Sequence, residues 1–264
     1  MSSDTSDPLA DLQPDRQSFD RFYRGEPAVD GGPPPGPIPW DVNQAQPRLM
    51  ELEALGAIKG EVLDIGCGLG DNAIFLAARG YSVTALDGSV AAIERARQRA
   101  ADAGATVTFG VADATNLTGY DGRFDTVIDS ALLHCLDDAG RRAYAAGVHR
   151  STRPGARWFL YCFSDANING VVAPRAAISP DTIRDTLTRA GWHIDFTGPT
   201  TYLGNAAGFA CDIDAIPDEL RAAMPAERLD QMRTMAERMS VILPLVEGGR
   251  VHLPFTVVHA TRVG

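Results

Sequence analysis

The sequence predicts an α/β fold built on a parallel sheet, and three observations predict it. From Gly60 onward, short apolar runs alternate with helical segments, as in successive βαβ units. The first strand runs into a loop with glycines at 66, 68 and 70 that opens a helix. Acids then follow the next two strands, Asp87 and Asp113, at the edge where open α/β sheets bind ligands.

Each element has a local cause. Nine of the 17 prolines lie between Pro8 and Pro47, and the run Gly31 to Pro39 can hold neither a regular helix nor a central strand, so it reads as a loop. Before it, Phe19, Phe22 and Tyr23 stand at helical spacing and form a short amphipathic piece. Val62 to Ile65 reads as the first strand and Asp71 to Arg79 as a helix closed by Gly80. Val83 to Leu86 is the second strand, and Ser89 N-caps a helix that reaches Ala103 before Gly104. Val107 to Val111, Thr126 to Ile128 and Trp158 to Phe163 supply further strands, with a helix over Asp138 to Arg150. Ser179-Pro180-Asp181 starts a helix with an N-cap hydroxyl, a first-turn proline and an acid at the positive helix end, and Gly191 stops it. Trp192 to Phe196 and Phe255 to Ala260 are two late strands. Between them, Thr200 to Arg250 reads as an insertion, with a helix from Glu227 to Leu243 whose Leu229, Met232, Ala236, Met239 and Leu243 share one face. Its methionines, Met232 and Met235 among them, can line a pocket for a flat apolar ligand or serve a core or dimer helix.

Composition narrows the function classes. The 264 residues carry 34 acidic and 24 basic side chains, a net charge of −10, and 45% are apolar. That is ample for a core and lacks the clustered basic surface that grips phosphates, so no nucleic-acid partner is expected. The four cysteines, Cys67, Cys135, Cys162 and Cys211, form no C-x-x-C pair, so neither a zinc site nor a disulfide scaffold is expected. With no apolar stretch of about 20 residues and a polar, acidic start at Met1 to Asp7, the expectation is a cytoplasmic protein, monomeric or homodimeric, with no membrane partner.

The chemistry concentrates in Val62-Leu-Asp-Ile-Gly-Cys-Gly-Leu-Gly-Asp-Asn72. Glycines let the backbone turn tightly and approach a ligand, and the turn feeds a helix N-terminus. The spacing from Gly68 to Ala73 also matches a dinucleotide fingerprint, but the turn begins at Gly66, and from there the third glycine position holds Asp71. Asp87, after the second strand, can accept both hydroxyls of a ribose; Asp113, after the third, can accept from an adenine amino group. Either acid can instead cap a turn.

In this combination, from about Gly60 to Thr200 plus the last strand, the chain resembles the class I S-adenosylmethionine-dependent methyltransferases. The resemblance implies a doubly wound, Rossmann-like sheet of seven strands with the last strand antiparallel. It also implies S-adenosyl-L-methionine as cofactor, with S-adenosyl-L-homocysteine as product. It places Asp64, Gly66, Cys67, Gly68, Gly70 and Asn72 in the binding loop, Asp87 and Gly88 at the ribose, Asp113 and Ala114 at the adenine, and Asp129 and Ser130 at the cofactor edge after the fourth strand. A narrower resemblance lies in Pro39-Trp-Asp-Val-Asn-Gln-Ala-Gln-Pro47, which is similar to the P-W-D-x-G-x-x-Q-P stretch of thiopurine-methyltransferase-like enzymes and of actinobacterial enzymes that methylate heterocyclic toxins and quinolones. There the segment folds over the cofactor with Trp40 near its methionine part. Asn43 replaces the glycine and tolerates a left-handed turn better than most residues.

The resulting expectation is an N-terminal arm and lid over 1–59 and a methyltransferase domain over 60–264, transferring a methyl group to O, N or S of a small aromatic or heterocyclic acceptor. His134, following the fourth strand, is the candidate general base. Phe19, Phe22, Tyr23, Cys162, Met232 and Met235 are the candidate acceptor contacts. Two alternatives remain. A nicotinamide oxidoreductase is disfavoured by the fingerprint register and because Lys59 is the only lysine, which precludes a catalytic Tyr-x-x-x-Lys. A protein that binds the cofactor without catalysis is the other.

Overall fold

The computed structural model describes residues 16–27, 32, 35–163, 177–209 and 213–264. Cys211 and part of the proline run lie outside the described residues. Seven strands form one sheet in the order β3-β2-β1-β4-β5-β7-β6: β1 (Glu61–Ile65), β2 (Ser82–Asp87), β3 (Thr108–Val111), β4 (Phe124–Ser130), β5 (Thr152–Cys162), β6 (Trp192–Asn205) and β7 (Arg250–Arg262). Neighbours from β3 to β5 pair in parallel, while β7 lies antiparallel between β5 and β6. The expected mixed, doubly wound sheet is thus observed. The order reverses between β1 and β4, which opens a crevice at their carboxyl ends.

Alternation along the strands gives the sheet two apolar faces. Leu63, Ile65, Val127, Trp158 and Leu160 face α5 (Asp138–Ser151) and α6 (Pro180–Arg189). Val62, Ile128, Phe159, Tyr161 and Phe255 form the other layer, with Leu49 of α2 (Pro47–Ala54) and with Ala73 and Leu76 of α3 (Asp71–Ala77). Next along the sheet, α4 (Val90–Asp102) buries Ala91, Ala92, Ile93, Ala96 and Ala100. Ser89 caps α4 by accepting the Ala92 amide at 3.0 Å, and Ser179 caps α6 by accepting the Thr182 amide at 3.0 Å. Both caps match the expected starts.

Three features depart from expectation. The late strands are longer than Trp192 to Phe196 and Phe255 to Ala260, so β6 and β7 form a long antiparallel pair, and the intervening segment starts at Ala206 rather than Thr200. Pro199 and Pro254 concealed this. Pro199 sits on β6, the last strand in the order, and Pro254 pairs with Thr201 beyond the last residue that β7 shares with β5, so neither proline interrupts a two-sided ladder. Helix α2 was not anticipated; Pro47, which closes the proline-rich region, is its first residue. The amphipathic piece does form α1 (Arg16–Arg24), and the segment after β6 holds α7 (Asp218–Ala223) and α8 (Ala226–Ile242). Among the described residues no helix is long and apolar enough to cross a membrane.

Candidate active site

The glycine loop leaves β1 at Ile65 and enters α3 at Asp71, with φ of +71° at Gly66, +53° at Gly68 and +83° at Gly70. The amides of Gly66 and Cys67 donate to the Leu86 carbonyl at 2.8 and 3.0 Å, which ties the loop to β2. A side chain is barred at Gly68 twice over: its φ is left-handed, and a Cβ there would lie 2.8 Å from the Tyr23 hydroxyl. The loop is a bare backbone cradle facing the crevice.

Three acids stand around it. Asp87 is half-buried at the end of β2; its Oδ2 accepts the Gly68 amide at 2.9 Å and its Oδ1 the Ser89 amide at 2.8 Å, so the carboxylate is held at the loop's rim beside Gly88. Asp64 is fully buried, and neither of its oxygens has a hydrogen-bond partner of ordinary geometry. Burial, followed by the negative charges of Asp87 and Asp129, pushes its pKa up to about 7, and the Ala73 amide in the first turn of α3 offsets only part of this. A buried carboxyl met only by the poorly aligned Ala73 amide, directly before a backbone cradle, fits a cationic ligand such as a sulfonium amino acid. Asp113 is exposed beyond β3 and accepts the amide and hydroxyl of Thr115 at 2.8 and 2.7 Å, an Asx turn that also presents the half-buried Ala114.

After β4 the residues divide. Asp129 does not face the crevice: its Oδ1 accepts the Leu132 amide at 2.7 Å and its Oδ2 the Tyr144 hydroxyl at 3.0 Å, and burial pushes it up to about 7. It therefore fixes the turn after β4 against α5. Ser130 is half-buried and lies near the Tyr202 hydroxyl. The next residue, Ala131, holds φ +84°, an unusual value for alanine at the mouth of the site.

His134 is buried, with 7% of its surface exposed. Its Nδ1 accepts the Phe163 amide at 3.3 Å, which places the proton of the neutral ring on Nε2. Burial lowers its pKa to about 3. With its lone pair on Nδ1 bonded to the backbone, the neutral ring presents Nε2–H as a hydrogen-bond donor. Around it stand rings that sequence reasoning missed: Phe163 at 4.8 Å, Phe255 at 5.9 Å, and Tyr202 stacked on Phe255 at 4.5 Å. Phe163, Phe255 and Tyr202 belong to the same apolar layer as Val62, the layer towards which Asp64 also points by alternation.

The N-terminal arm covers the other side. Trp40 donates from Nε1 to the Tyr23 hydroxyl at 2.9 Å and packs on Phe19, Phe22 and Tyr23 with ring separations of 5.7, 5.8 and 6.2 Å. These four form one aromatic cluster, with Tyr23 buried over Gly68. The P-W-D stretch is fixed at both ends. Gln46 is buried, donates to the Leu203 carbonyl at 3.0 Å and accepts the Leu203 amide at 2.8 Å, and its own amide donates to Asn72 Oδ1 at 2.9 Å. Asn72 thus holds the arm with that oxygen. Asn43 takes φ +54°, the left-handed turn in which it stands for glycine.

Three candidate acceptor contacts lie elsewhere. Cys162 is fully buried in the α5 and α6 layer, where burial pushes its thiol upward, so it is a core residue rather than a crevice contact. Met232 and Met235 are half-buried on α8 and belong to none of the apolar clusters described for the sheet and arm.

The chain is similar to known proteins in sequence and fold. A methyltransferase domain model matches residues 62–155. The 2-heptyl-1-hydroxyquinolin-4(1H)-one methyltransferase of Mycobacteroides abscessus is 36% identical over 192 residues, covering 72% of this chain and 83% of the relative. A solved structure concerned with conversion of a disulfide bond into a thioacetal group during echinomycin biosynthesis superposes with a TM-score of 0.69 at 30% identity, over 94% of this chain and 91% of the other. Magnesium protoporphyrin IX methyltransferase from Synechocystis, solved with bound S-adenosylmethionine, shares the fold at a TM-score of 0.51 and 21% identity, over 81% of this chain and 76% of the other. With the glycine cradle at the β1/β4 switch point and the acid at the end of β2, these likenesses make the chain a member of the class I S-adenosylmethionine-dependent methyltransferases.

Proposed function

We propose that the enzyme methylates an O, N or S atom of a small, flat heterocycle, an acceptor that is anionic or readily ionised near neutral pH. What supports this reading is the setting of His134: with Nδ1 accepting the Phe163 amide and burial favouring the neutral ring, it is arranged to offer an N–H to an anion rather than to take a proton from a neutral hydroxyl. The cofactor supplies a methyl group on a positively charged sulfur, and the transfer is a direct displacement. The work left to the chain is to hold the acceptor atom in line, at about 3 Å, and to exclude water. Phe163, Phe255 and Tyr202 provide an apolar wall for a planar ring system, and the aromatic cluster of the arm provides the opposite cover. The hydroxyquinolone handled by the Mycobacteroides relative is of this chemical kind. Within this reading, residues 1–59 act as the arm and lid, 60–264 as the catalytic domain, and the segment after β6 as a flank to the acceptor entrance.

A panel of N-hydroxy heterocycles, heterocyclic phenols and thiols, incubated with methyl-labelled S-adenosylmethionine, tests the proposal. Turnover is expected to be highest for the more acidic, planar acceptors. Methylation confined to protein, to nucleic acid or to flexible aliphatic acceptors overturns it.

A further inference from the structure

Helix α4 packs against the glycine loop through Ala91, Ala92 and Ala96, and one of its faces also grips the arm at three places. At its start, the Ser89 hydroxyl and the Ala91 amide both donate to Asp20 Oδ1 of α1, at 2.6 and 3.1 Å. One and a half turns on, Arg95 Nη1 donates to the Tyr23 carbonyl at 3.0 Å. One turn beyond that, Arg99 makes two bidentate contacts at once. Its Nη1 donates to both oxygens of Asp71 at 3.1 Å, and its Nη2 to both oxygens of Asp41 at 3.0 and 2.8 Å.

The two carboxylates belong to different parts of the site. Asp41 follows Trp40 in the aromatic cover, whereas Asp71 follows Gly70 and is the first residue of α3. The three side chains retain only 19–23% of their exposure, so water screens them incompletely. Without the guanidinium, two negative charges would face each other across the closure and push the cover off the loop.

We propose that Arg99 is a positioning residue for the cofactor: it makes closure of the arm and the conformation of the glycine loop one event, so that affinity for S-adenosylmethionine depends on the arm being docked. The inference rests on the family to which the chain belongs and is independent of which acceptor is used. A planar fork is needed to satisfy two carboxylates together, which a lysine ammonium does not reproduce.

The test measures S-adenosylhomocysteine binding by calorimetry and acrylamide quenching of tryptophan in the full chain. Trp158 and Trp192 are buried in the core, at 0% and 2% exposure, so quenching reports on Trp40. Arg99→Gln is expected to weaken binding about tenfold or more, within the usual range of coupling between sites, and to expose Trp40 to quencher. Arg99→Lys should fall between, and KM for S-adenosylmethionine should rise while kcat changes little. Asp41→Asn leaves the bond between Arg99 and Asp71 intact, so it cannot disturb α3 directly; it should still weaken binding, and the double variant should be no worse than Arg99→Gln alone. Binding within twofold of the parent in Asp41→Asn overturns the proposal, as does weakened binding in Arg99→Gln with unchanged Trp40 quenching, since Arg99 would then act through α3 alone.

Discussion

At the scale of single residues, His134 shows how environment selects among a side chain's chemistries. A histidine after the fourth strand reads as a base because its ordinary pKa lies near neutrality, but here the Phe163 amide bonds to Nδ1 and burial disfavours the charged form. The pH dependence of kcat/KM should therefore follow the acceptor's own ionisation. His134→Gln is expected to lower the rate without changing the shape of that profile between pH 5 and 9. A limb near pH 6.5 that disappears only in the variant would restore histidine to the role of base. The glycine loop and Asp87 were legible because the strand, turn and acid stand within one local pattern. The surroundings of His134 were not, since Phe163 lies 29 residues away along the chain and Phe255 and Tyr202 come from two later strands.

At the scale of elements, the arm works through a short stretch, residues 37–46, that touches the β6–β7 end of the sheet. The Asn205 amide donates to the Pro39 carbonyl at 2.7 Å, Gln46 pairs with both backbone groups of Leu203, and Arg250 donates to Gln44 at 2.7 Å and to the Val42 carbonyl at 3.1 Å. The stretch thereby braces β6 and β7 from above. Replacing Gln46 by Leu strips two buried backbone groups of their partner and should cost about 2–6 kcal/mol in denaturant unfolding, at about 1–3 kcal/mol for each group left unpaired. A loss under about 0.5 kcal/mol, the range of an ordinary surface change, would mean the brace is redundant. The P-W-D pattern could be read as a segment lying over the cofactor, but the partners of Asp41 and Gln46 are 58 and 157 residues away, and no local periodicity points to them. Helix α2 escaped notice for the opposite reason: its eight residues follow directly on the proline-rich run, whose signals dominate that stretch.

At the scale of the whole molecule, the site draws on the stability of the fold. Asp64 and Asp129 have folded-state pKa values near 7 against an ordinary 3.8, so the folded protein binds protons there that the unfolded chain has released. Their contribution is full below pH 3.8 and is lost as pH rises through about 7. His134 runs the other way: lowered from 6.5 to about 3, it contributes above pH 6.5 and loses that contribution as pH falls toward 3. Of the two acids, Asp129 is bonded by the Leu132 amide and the Tyr144 hydroxyl, whereas Asp64 has only the poorly aligned Ala73 amide, so the cost at Asp64 is the removable one. Asp64→Asn should stabilise the cofactor-free enzyme by roughly 1–3 kcal/mol at pH 8, the scale of an unpaired buried group, and flatten the decline in stability between pH 4 and 7. It should also weaken S-adenosylhomocysteine binding. A variant that melts lower and still binds normally would refute this account. Such a trade of stability for a ligand-ready site is common where function needs an unsatisfied group.

The strand order has one more consequence. Beneath the arm, the glycine loop and its acids come from one contiguous stretch between Val62 and Asp113, whereas the rings of the proposed acceptor wall and His134 come from the exits of β4 and β5 and from β6 and β7. Inheritance can therefore treat the two separately. On the proposed reading, exchanging one ring at one strand end changes which molecule is accepted without altering the glycine loop or Asp87.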